Sequence, residues 1–304
     1  MINLVAVVLT YNRPALLEEN INAVLNQEVL PSELIIVDNH SNDDTEERVK
    51  KYLDNGKLSI RYEKLDRNYG SAGGFYYAIK IAYDLGYDFI LTMDDDGKPF
   101  KSNTFSLLVK AVENAQKINE KLIIGPLVTY DGLHITFGPD YSEEYVNEAQ
   151  MKEEPITKDY ISPYNGTIIS RKCIDAIGFP DKEFYLYGDE IEYMMRAKEN
   201  GVILQTVVNA IYQHPKANER INRFFGKNLV SYEGVSRRKQ YYYIRNHYYA
   251  FKIHGENMLA FRLLINRVLS IIFFEKSKMS QLKLLNMSIK DAKNKNIHEK
   301  MDEI

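Results

Sequence analysis

The chain has 304 residues, of which 45% are hydrophobic, and its formal net charge is −3 at pH 7. That length suits one large α/β domain with an appendage, and the lack of a basic excess argues against nucleic acid as the main partner. One cysteine, Cys173, excludes an internal disulfide and is typical of a reducing compartment. No histidine lies near it in sequence, which favours a buried core residue over a reactive thiol.

The first 130 residues alternate short β-rich runs with helical periodicity, which is typical of βαβ units on a parallel sheet. Pro14 suits the first turn of a helix, and Gly56 and Gly86 are placed to end two others. Strands are predicted at residues 4–9, 34–37, 60–63, 89–93, 122–129 and 203–208. Residues 131–160 form a polar excursion, order returns at Tyr164, and the last 50 or so residues are helical and basic.

From the sequence we expect neither a signal peptide nor a membrane-spanning segment. No basic region precedes the apolar residues at the N-terminus, and the longest apolar candidate, residues 268–274, is far shorter than the roughly 18 residues needed to cross a bilayer. We therefore expect a soluble or peripheral protein in the cytoplasm.

Three consecutive aspartates, Asp94, Asp95 and Asp96, follow the apolar run 89–93. Adjacent carboxylates repel one another unless a cation or hydrogen-bond donors neutralise them. Oxygen ligands suit Mg²⁺ or Mn²⁺, and open α/β sheets bind ligands at the carboxyl ends of their strands. The alternative is a solvated acidic turn that caps the helix near Asn103.

Like the aspartate triplet, Asp38 and a group of glycines lie where predicted strands end, earlier in the chain. Asp38 ends a strand and could accept hydrogen bonds from a base or ribose, or it could cap the following helix. Gly70, Gly73 and Gly74 would let a phosphate or sugar approach the backbone at a helix N-terminus. The glycine order does not match GxGxxG, so this signal is weak.

The second half of the chain contains candidates for a catalytic base, a metal ligand and a cation that binds phosphate. Asp189 and Glu190 fit the first turn of a helix, where they are either ordinary helix-start residues or a general base. His214 follows a strand and could ligate the same metal or be structural. Arg245 lies among tyrosines and could pair with phosphate, or it could belong to a partly buried helix.

Six segments resemble, in order and spacing, the family 2 glycosyltransferases of GT-A fold. The segments are residues 9–13, 37–41, 67–74, 93–96, 188–192 and His214. Within that family the chain looks most like bacterial galactofuranosyltransferases, with rhamnosyltransferases as near relatives. The resemblance implies a Rossmann-like, mostly parallel sheet flanked by helices, with a helical C-terminal extension. It implies a catalytic domain at 1–215 and a helical region at 216–304 that contacts the acceptor, the membrane or a second copy.

The resemblance also implies a role for each matching residue. Glu190 falls where the family has its catalytic base, usually an aspartate, so its neighbour Asp189 remains an alternative. The residues implied to contact the nucleotide-sugar donor are Thr10, Asn12, Arg13, Asp38, Arg67, Asn68, Gly73, Asp94, Asp95 and Arg245. The residues implied to hold Mn²⁺ or Mg²⁺ are Asp94, Asp96 and His214.

The implied reaction is inverting transfer of a sugar, with UDP-galactofuranose as first choice, to a glycan or lipid-linked glycan of the cell surface. The chain has no tryptophan, so it lacks the Gln-x-x-Arg-Trp motif of processive synthases. The alternatives are rhamnosyl or other hexosyl transfer, nucleotidyl transfer, and an inactive GT-A assembly subunit. The basic C-terminal helices could lie on the cytoplasmic membrane face, pack on the domain, or join a homo-oligomer.

Overall fold

The computed structural model describes residues 2–136, 156–158, 161–216, 220–224, 227–232 and 234–299. The chain divides into two compact units, each described here by itself. The first contains Met1–Tyr69, Gly74–Phe179 and Arg196–Lys216, and the second contains Gly70–Gly73, Pro180–Met195 and Ala217–Ile304. The first unit ends at Lys216, one residue after the predicted boundary at 215. The second unit also includes the two earlier segments Gly70–Gly73 and Pro180–Met195.

The first unit contains a nine-stranded mixed sheet. Its strands are β1 Leu4–Thr10, β2 Glu33–Asp38, β3 Ser59–Lys64, β4 Phe89–Asp94, β5 Lys98–Pro99, β6 Leu122–Thr129, β7 Ile156–Lys158, β8 Asn165–Ser170 and β9 Ile203–Gln213. Their order is β3-β2-β1-β4-β8-β6-β9-β5, with β7 paired to β9. The predicted parallel arrangement is confirmed for β1 to β4, whereas β8 runs antiparallel to both β4 and β6.

Helices cover the sheet because each has one apolar face. The helices that begin or end in this unit are α1 Pro14–Leu25, α2 Thr45–Lys50, α3 Gly70–Asp84, α4 Thr104–Ala115, α5 Arg171–Ile177 and α6 Asp189–Glu199. Every residue of β1 and β2 is buried, as expected for strands covered on both faces. Leu17 of α1 and Leu108 of α4 pack with Val8 in one core cluster.

The strand register brings the predicted site residues to one edge of the sheet. Thr10, the last residue of β1, lies opposite Asp38, and Leu9 lies opposite Asp94. The chain passes from β1 to β2 on one side and later returns to place β4 on the other side. This is the kind of topological switch point at which open α/β sheets bind ligands.

After residue 216, the described part of the second unit contains three helices and a hairpin. The helices are α7 Arg237–Ile253, α8 Asn257–Phe274 and α9 Lys278–Lys293, and the hairpin strands are β10 Arg220–Phe224 and β11 Lys227–Ser231. Ile244, Ile271 and Leu285 form one of their contact clusters. A buried ion pair joins Arg267 to Glu275, so the charge of this inward-facing arginine is compensated.

Helix α8 corrects the expectation that no segment is long enough to cross a membrane. Its 18 residues have a mean hydropathy of 1.6, and only 22% of that stretch is buried. Length and composition alone would allow a span, and the core helix of a soluble protein can have the same properties. Counting only uninterrupted apolar residues missed this helix because Arg262, Asn266 and Arg267 lie within it.

Two further predictions concern single segments. Cys173 is a fully buried thiol in α5 and forms no disulfide, which confirms its assignment to the core. The predicted polar excursion at 131–160 falls mostly outside the described residues, which include 131–136 and the short strand Ile156–Lys158 from it.

Candidate active site

The aspartate triplet lies at the carboxyl end of β4. Asp94 is the last residue of the strand, and the backbone N–H of Gly97 donates a hydrogen bond to the Asp94 carbonyl oxygen at 3.3 Å. One carboxylate oxygen from each of Asp94, Asp95 and Asp96 lies within 4.8 Å of the other two. The three negative charges are therefore concentrated in one small volume, as the sequence predicted.

The middle aspartate is bound by the protein itself. Asp95 is 3% exposed, and it accepts hydrogen bonds from Thr10 Oγ1 at 2.8 Å and from Arg13 Nη1 at 3.1 Å. Both of its carboxylate oxygens therefore have protein donors. The Asp95 side chain thus joins β4 to the end of β1 and the loop after it, and its contact with the sugar donor stays a prediction.

Asp96 lies between two basic side chains. Arg13 Nη1 is 2.9 Å from Asp96 Oδ2, and His214 Nε2 is 3.0 Å from Asp96 Oδ1. Burial alone would raise the pKa of Asp96, but the bond to His214 and the charges of His214 and Arg13 lower it below its ordinary value. His214 Nδ1 lies 2.8 Å from the Pro215 carbonyl oxygen, which can only accept a hydrogen bond. The other ring nitrogen, Nε2, is the one that faces Asp96.

Of the three aspartates, Asp94 has the carboxylate that the described protein groups compensate least. Burial and the charges of Asp95 and Asp96 raise the pKa of Asp94 to about 7. Within the described residues, no protein group donates a hydrogen bond to its carboxylate. The carboxylates of Asp94 and Asp96 are the hard oxygen ligands that Mn²⁺ and Mg²⁺ prefer, so these two aspartates could hold the predicted metal, and ligation by His214 stays a prediction.

A supporting layer beneath the triplet was missed by the sequence analysis. Asn20, fully buried in α1, donates a hydrogen bond from Nδ2 to the Gly97 carbonyl oxygen at 2.7 Å. The Tyr212 ring packs against Gly97 so closely that an added Cβ there would lie 2.5 Å from it. The one available signal was a polar Asn20 on the otherwise apolar face of α1.

The loops after β1 and β2 are tied to each other. The Asn12 backbone, at a φ of 52°, donates to Ser41 Oγ at 2.9 Å, and Asn12 Oδ1 accepts from the Asn42 N–H at 2.9 Å. Asp38 is fully buried and accepts hydrogen bonds from the Ser41 N–H at 2.7 Å and from the Tyr62 hydroxyl. Asp38 thus closes the turn after β2 and does not cap α2, whose N-cap is Asp44, and its contact with a base or ribose stays a prediction.

The segment before α3 is fixed to the loop after β2. Asn39 Nδ2 donates to Asn68 Oδ1 at 3.2 Å, and Asn39 Oδ1 accepts from the Tyr69 N–H at 2.9 Å. The exposed Arg67 guanidinium lies over the Tyr69 ring, 4.4 Å from its centroid. Arg67 and Asn68 are therefore held near the strand ends, and donor binding by them remains a prediction.

In the second unit, the first turn of α3 packs against a peptide carbonyl. Gly70 has a φ of 70°, and a Cβ added to it would lie 2.0 Å from the Tyr185 carbonyl oxygen. The Ala72 N–H donates to the same oxygen at 3.2 Å. The close approach that the glycine pattern predicted is therefore made at Gly70 by the protein's own backbone, and the buried Gly73 remains a predicted donor contact.

We expect Gly70→Ala to destabilise the protein more than Gly86→Ala. Both glycines have positive φ, which costs alanine about 1–2 kcal/mol, but a Cβ at Gly86 meets nothing within 4 Å. The clash with Tyr185 should add about 1–3 kcal/mol at Gly70 alone. Denaturant unfolding of both variants measures the difference, and equal losses of stability would contradict the packing described here.

The turn that precedes the acidic residues of α6 is held by α7. Tyr185, Tyr187 and Gly188 all have positive φ, at 65°, 62° and 86°. Asn246 Nδ2 lies 2.9, 2.9 and 2.8 Å from the carbonyl oxygens of residues 184, 186 and 187. A Cβ at Gly188 would lie 2.8 Å from Asn246 Cβ, so the turn has no room for a larger residue there.

The structure corrects the role predicted for Arg245. Its side chain is fully buried, and its guanidinium donates to the carbonyl oxygens of Phe184 at 3.3 Å, Ile297 at 2.7 Å and His298 at 2.8 Å. Nε also donates to Asn246 Oδ1 at 2.7 Å. These contacts occupy the donors that a phosphate would need, so Arg245 fastens the turn and the C-terminal segment together.

The two candidate bases differ in accessibility. Asp189 and Glu190 begin α6, as predicted, but Asp189 is 1% exposed whereas Glu190 is half-buried. Burial lowers the pKa of His247, whereas the negative charge of Glu190 raises that pKa, so the two side chains interact electrostatically. His247 Nδ1 lies 2.8 Å from the Tyr243 carbonyl oxygen, which fixes the ring.

Comparison with known proteins identifies the chain. Its fold is GT-A, and the protein is a glycosyltransferase. Residues 5–165, more than half of the chain, match the profile of Glycosyl transferase family 2, and the chain belongs to that family. The family predicted from six short motifs is thereby confirmed.

Relatives and solved structures extend the similarity over most of the chain. Galactofuranosyltransferase GlfT1 of Mycolicibacterium smegmatis is 27% identical over 253 residues, covering 80% of this chain and 81% of the relative. TarS 1-349 of S. aureus in complex with UDP-GlcNAc has a TM-score of 0.61 at 17% identity, covering 97% of this chain and 83% of that one. Mannosyltransferase PcManGT from Pyrobaculum calidifontis, with GDP-Man and Mn²⁺, has a TM-score of 0.55 at 14% identity, covering 97% and 87%.

Proposed function

We propose that the protein is an inverting, metal-dependent galactofuranosyltransferase that uses UDP-galactofuranose as donor. The observation that carries this proposal is the carboxylate cluster of Asp94, Asp95 and Asp96 at the carboxyl edge of the sheet, with His214 and Arg13 in contact with Asp96. The 27% identity to a galactofuranosyltransferase over 80% of the chain supports the choice of sugar. The acceptor would be a glycan or lipid-linked glycan of a cell-surface polysaccharide, elongated at the cytoplasmic face of the membrane.

Asp94, Asp96 and His214 would hold Mn²⁺ or Mg²⁺ against the diphosphate of the donor. When bound, the metal supplies positive charge that stabilises the departing nucleoside diphosphate. A structural neighbour that contains Mn²⁺ and a nucleotide sugar supports the choice of ion. Arg13 pairs with Asp95 and Asp96 in the protein alone, so it lies close enough to contact a phosphate placed beside the triplet.

We assign the base to Glu190. Its carboxylate would take the proton of the acceptor hydroxyl as that oxygen forms a bond to the anomeric carbon. The bond from that carbon to the diphosphate oxygen breaks on the opposite face, so the configuration inverts and the electron pair leaves with the nucleotide. The half-buried Glu190 can meet an acceptor, whereas the buried Asp189 fits better as a residue that stabilises the helix start.

Other donors are the main competing assignment. Two structural neighbours hold pyranose donors, UDP-GlcNAc and GDP-Man, so rhamnosyl or other hexosyl transfer is the second candidate. Nucleotidyl transfer would release pyrophosphate rather than a nucleoside diphosphate, so product analysis separates the two reactions. An inactive assembly subunit would release neither product.

Thermal unfolding with a panel of nucleotide sugars and Mn²⁺ tests the donor. A ligand that binds the folded state at about 100 times its Kd stabilises that state by about 2.7 kcal/mol, so the true donor should raise the Tm most. We expect the largest increase with UDP-galactofuranose, and this increase should vanish in Asp96→Ala. A larger increase with UDP-GlcNAc or GDP-Man would overturn the proposed sugar but not the family.

A further inference from the structure

The exposed apolar residues of the described chain are concentrated on its C-terminal helices. Helix α8 presents Met258, Phe261, Ile265 and Ile272 to solvent, and Met258 is 68% exposed. Their spacing of three, four and seven residues places them on one face of the helix. We call these four residues the α8 stripe. An apolar surface of this extent on a soluble protein marks a contact site.

Another face of α8 is fixed within the second unit. Ile271 of this helix packs with Ile244 and Leu285. Arg267, also on the inward side, pairs with Glu275 and donates hydrogen bonds to Gln240 and Gln281 at 3.0 Å each. Withdrawing the helix into a bilayer would break these buried polar contacts. We therefore expect α8 to keep its position in the second unit and to contact a partner only through the face that carries the stripe.

The charges around the stripe indicate the partner. Between residues 252 and 299, the exposed basic side chains far outnumber the exposed acidic ones, of which Glu256 is the single example within the described residues. The exposed basic side chains are Lys252, Arg262, Lys276, Lys278, Lys283, Lys290, Lys293 and Lys295. Arg262 and Lys283 each follow an exposed methionine, Met258 or Met279, by one helical turn.

We propose that the α8 stripe and the exposed basic side chains of the C-terminal helices dock on an anionic lipid bilayer, with α8 lying in the plane of the interface. Apolar side chains enter the boundary between headgroups and acyl chains, and the basic side chains contact the anionic headgroups. A second copy of this chain fits less well, because joining two stripes would bring two basic surfaces together. The proposal does not depend on which sugar the enzyme transfers.

Flotation of the full chain with lipid vesicles tests the proposal. We expect the protein to float with phosphatidylcholine vesicles that contain phosphatidylglycerol, and to stay behind with phosphatidylcholine alone. The double variant Phe261→Ser/Ile265→Ser should reduce partitioning by about tenfold or more, because it removes two large apolar side chains. Lys276→Ser and Lys278→Ser should each reduce partitioning by about fivefold, and high salt should act in the same direction.

The matched control is Ile118→Ser, which removes an apolar side chain that is 81% exposed but lies in the first unit. This variant should bind vesicles as the wild type does. All substituted side chains are exposed, so unchanged thermal unfolding is expected and can be verified. Equal binding to both kinds of vesicle would overturn the proposal, and so would a wild-type dimer in light scattering that becomes monomeric in the Phe261→Ser/Ile265→Ser variant without any vesicle binding.

Discussion

Replacing Asp94 or Asp96 by alanine is expected to abolish sugar transfer, with a loss of at least about a thousandfold. The proposed metal is held by these carboxylates, and charge stabilisation by a metal contributes several kcal/mol, where about 1.4 kcal/mol corresponds to a factor of ten. Asp94 should be the more sensitive position, because no protein donor in the described chain compensates its carboxylate. Release of nucleoside diphosphate measures the rate, and calorimetric titration measures Mn²⁺-dependent donor binding.

Asp84→Asn is the matched control for these variants. Asp84 is an exposed carboxylate that ends α3 and pairs with Lys80 at 2.7 Å. Its substitution should leave turnover and metal binding unchanged, since exposed pairs of this kind contribute little. Wild-type turnover in Asp96→Ala would remove the metal assignment, and lost transfer in Asp84→Asn would show that the assay responds to surface charge rather than to the site.

The second large effect is expected from Glu190→Gln. Glutamine keeps the size of the side chain but cannot accept a proton at neutral pH, so turnover should fall by about 10²- to 10⁴-fold while the Kd of the donor stays the same. Donor binding by calorimetry and kcat from product release separate the two quantities. Glu199→Gln, at the exposed end of the same helix, should retain full turnover.

Asp189→Asn distinguishes the two neighbouring acids. Because Asp189 is buried at the start of α6, we expect this variant to lower the Tm while keeping most of the turnover. The opposite pattern, with full activity in Glu190→Gln and lost turnover in a folded Asp189→Asn, would transfer the role of base to Asp189.

The strands that carry the site could be predicted because β1 and β2 are continuous apolar runs and β3 is a short run between two turns. The predicted strands at 4–9, 34–37 and 60–63 lie within β1, β2 and β3, each of which extends one or two residues further. Such runs are required where both faces of a strand are covered, and they end where polar residues begin. Thr10, Asp38 and Asp94 could thus be placed at strand ends from sequence alone.

The antiparallel insertion could not be predicted from local pattern. β8 lies between β4 and β6 although it follows both in sequence, and its pairing depends on contacts across more than 70 residues of chain from β4. Arg245 illustrates the same limit for a side chain. A guanidinium binds phosphate and peptide carbonyls with the same donors, so only its burial against residues 184, 297 and 298 reveals its partners.

The turn before α6 also has a consequence for the order of folding. Tyr185 and Tyr187 occupy backbone conformations that cost a non-glycine residue about 1–2 kcal/mol each, so the isolated segment would not choose them. The compensating hydrogen bonds come from Asn246 and Arg245, about 60 positions later in the sequence. The turn is therefore expected to close only after α7 has formed. The proposed base Glu190, in the first turn of α6, is thus expected to reach its final position late, after the C-terminal helix α7 has formed.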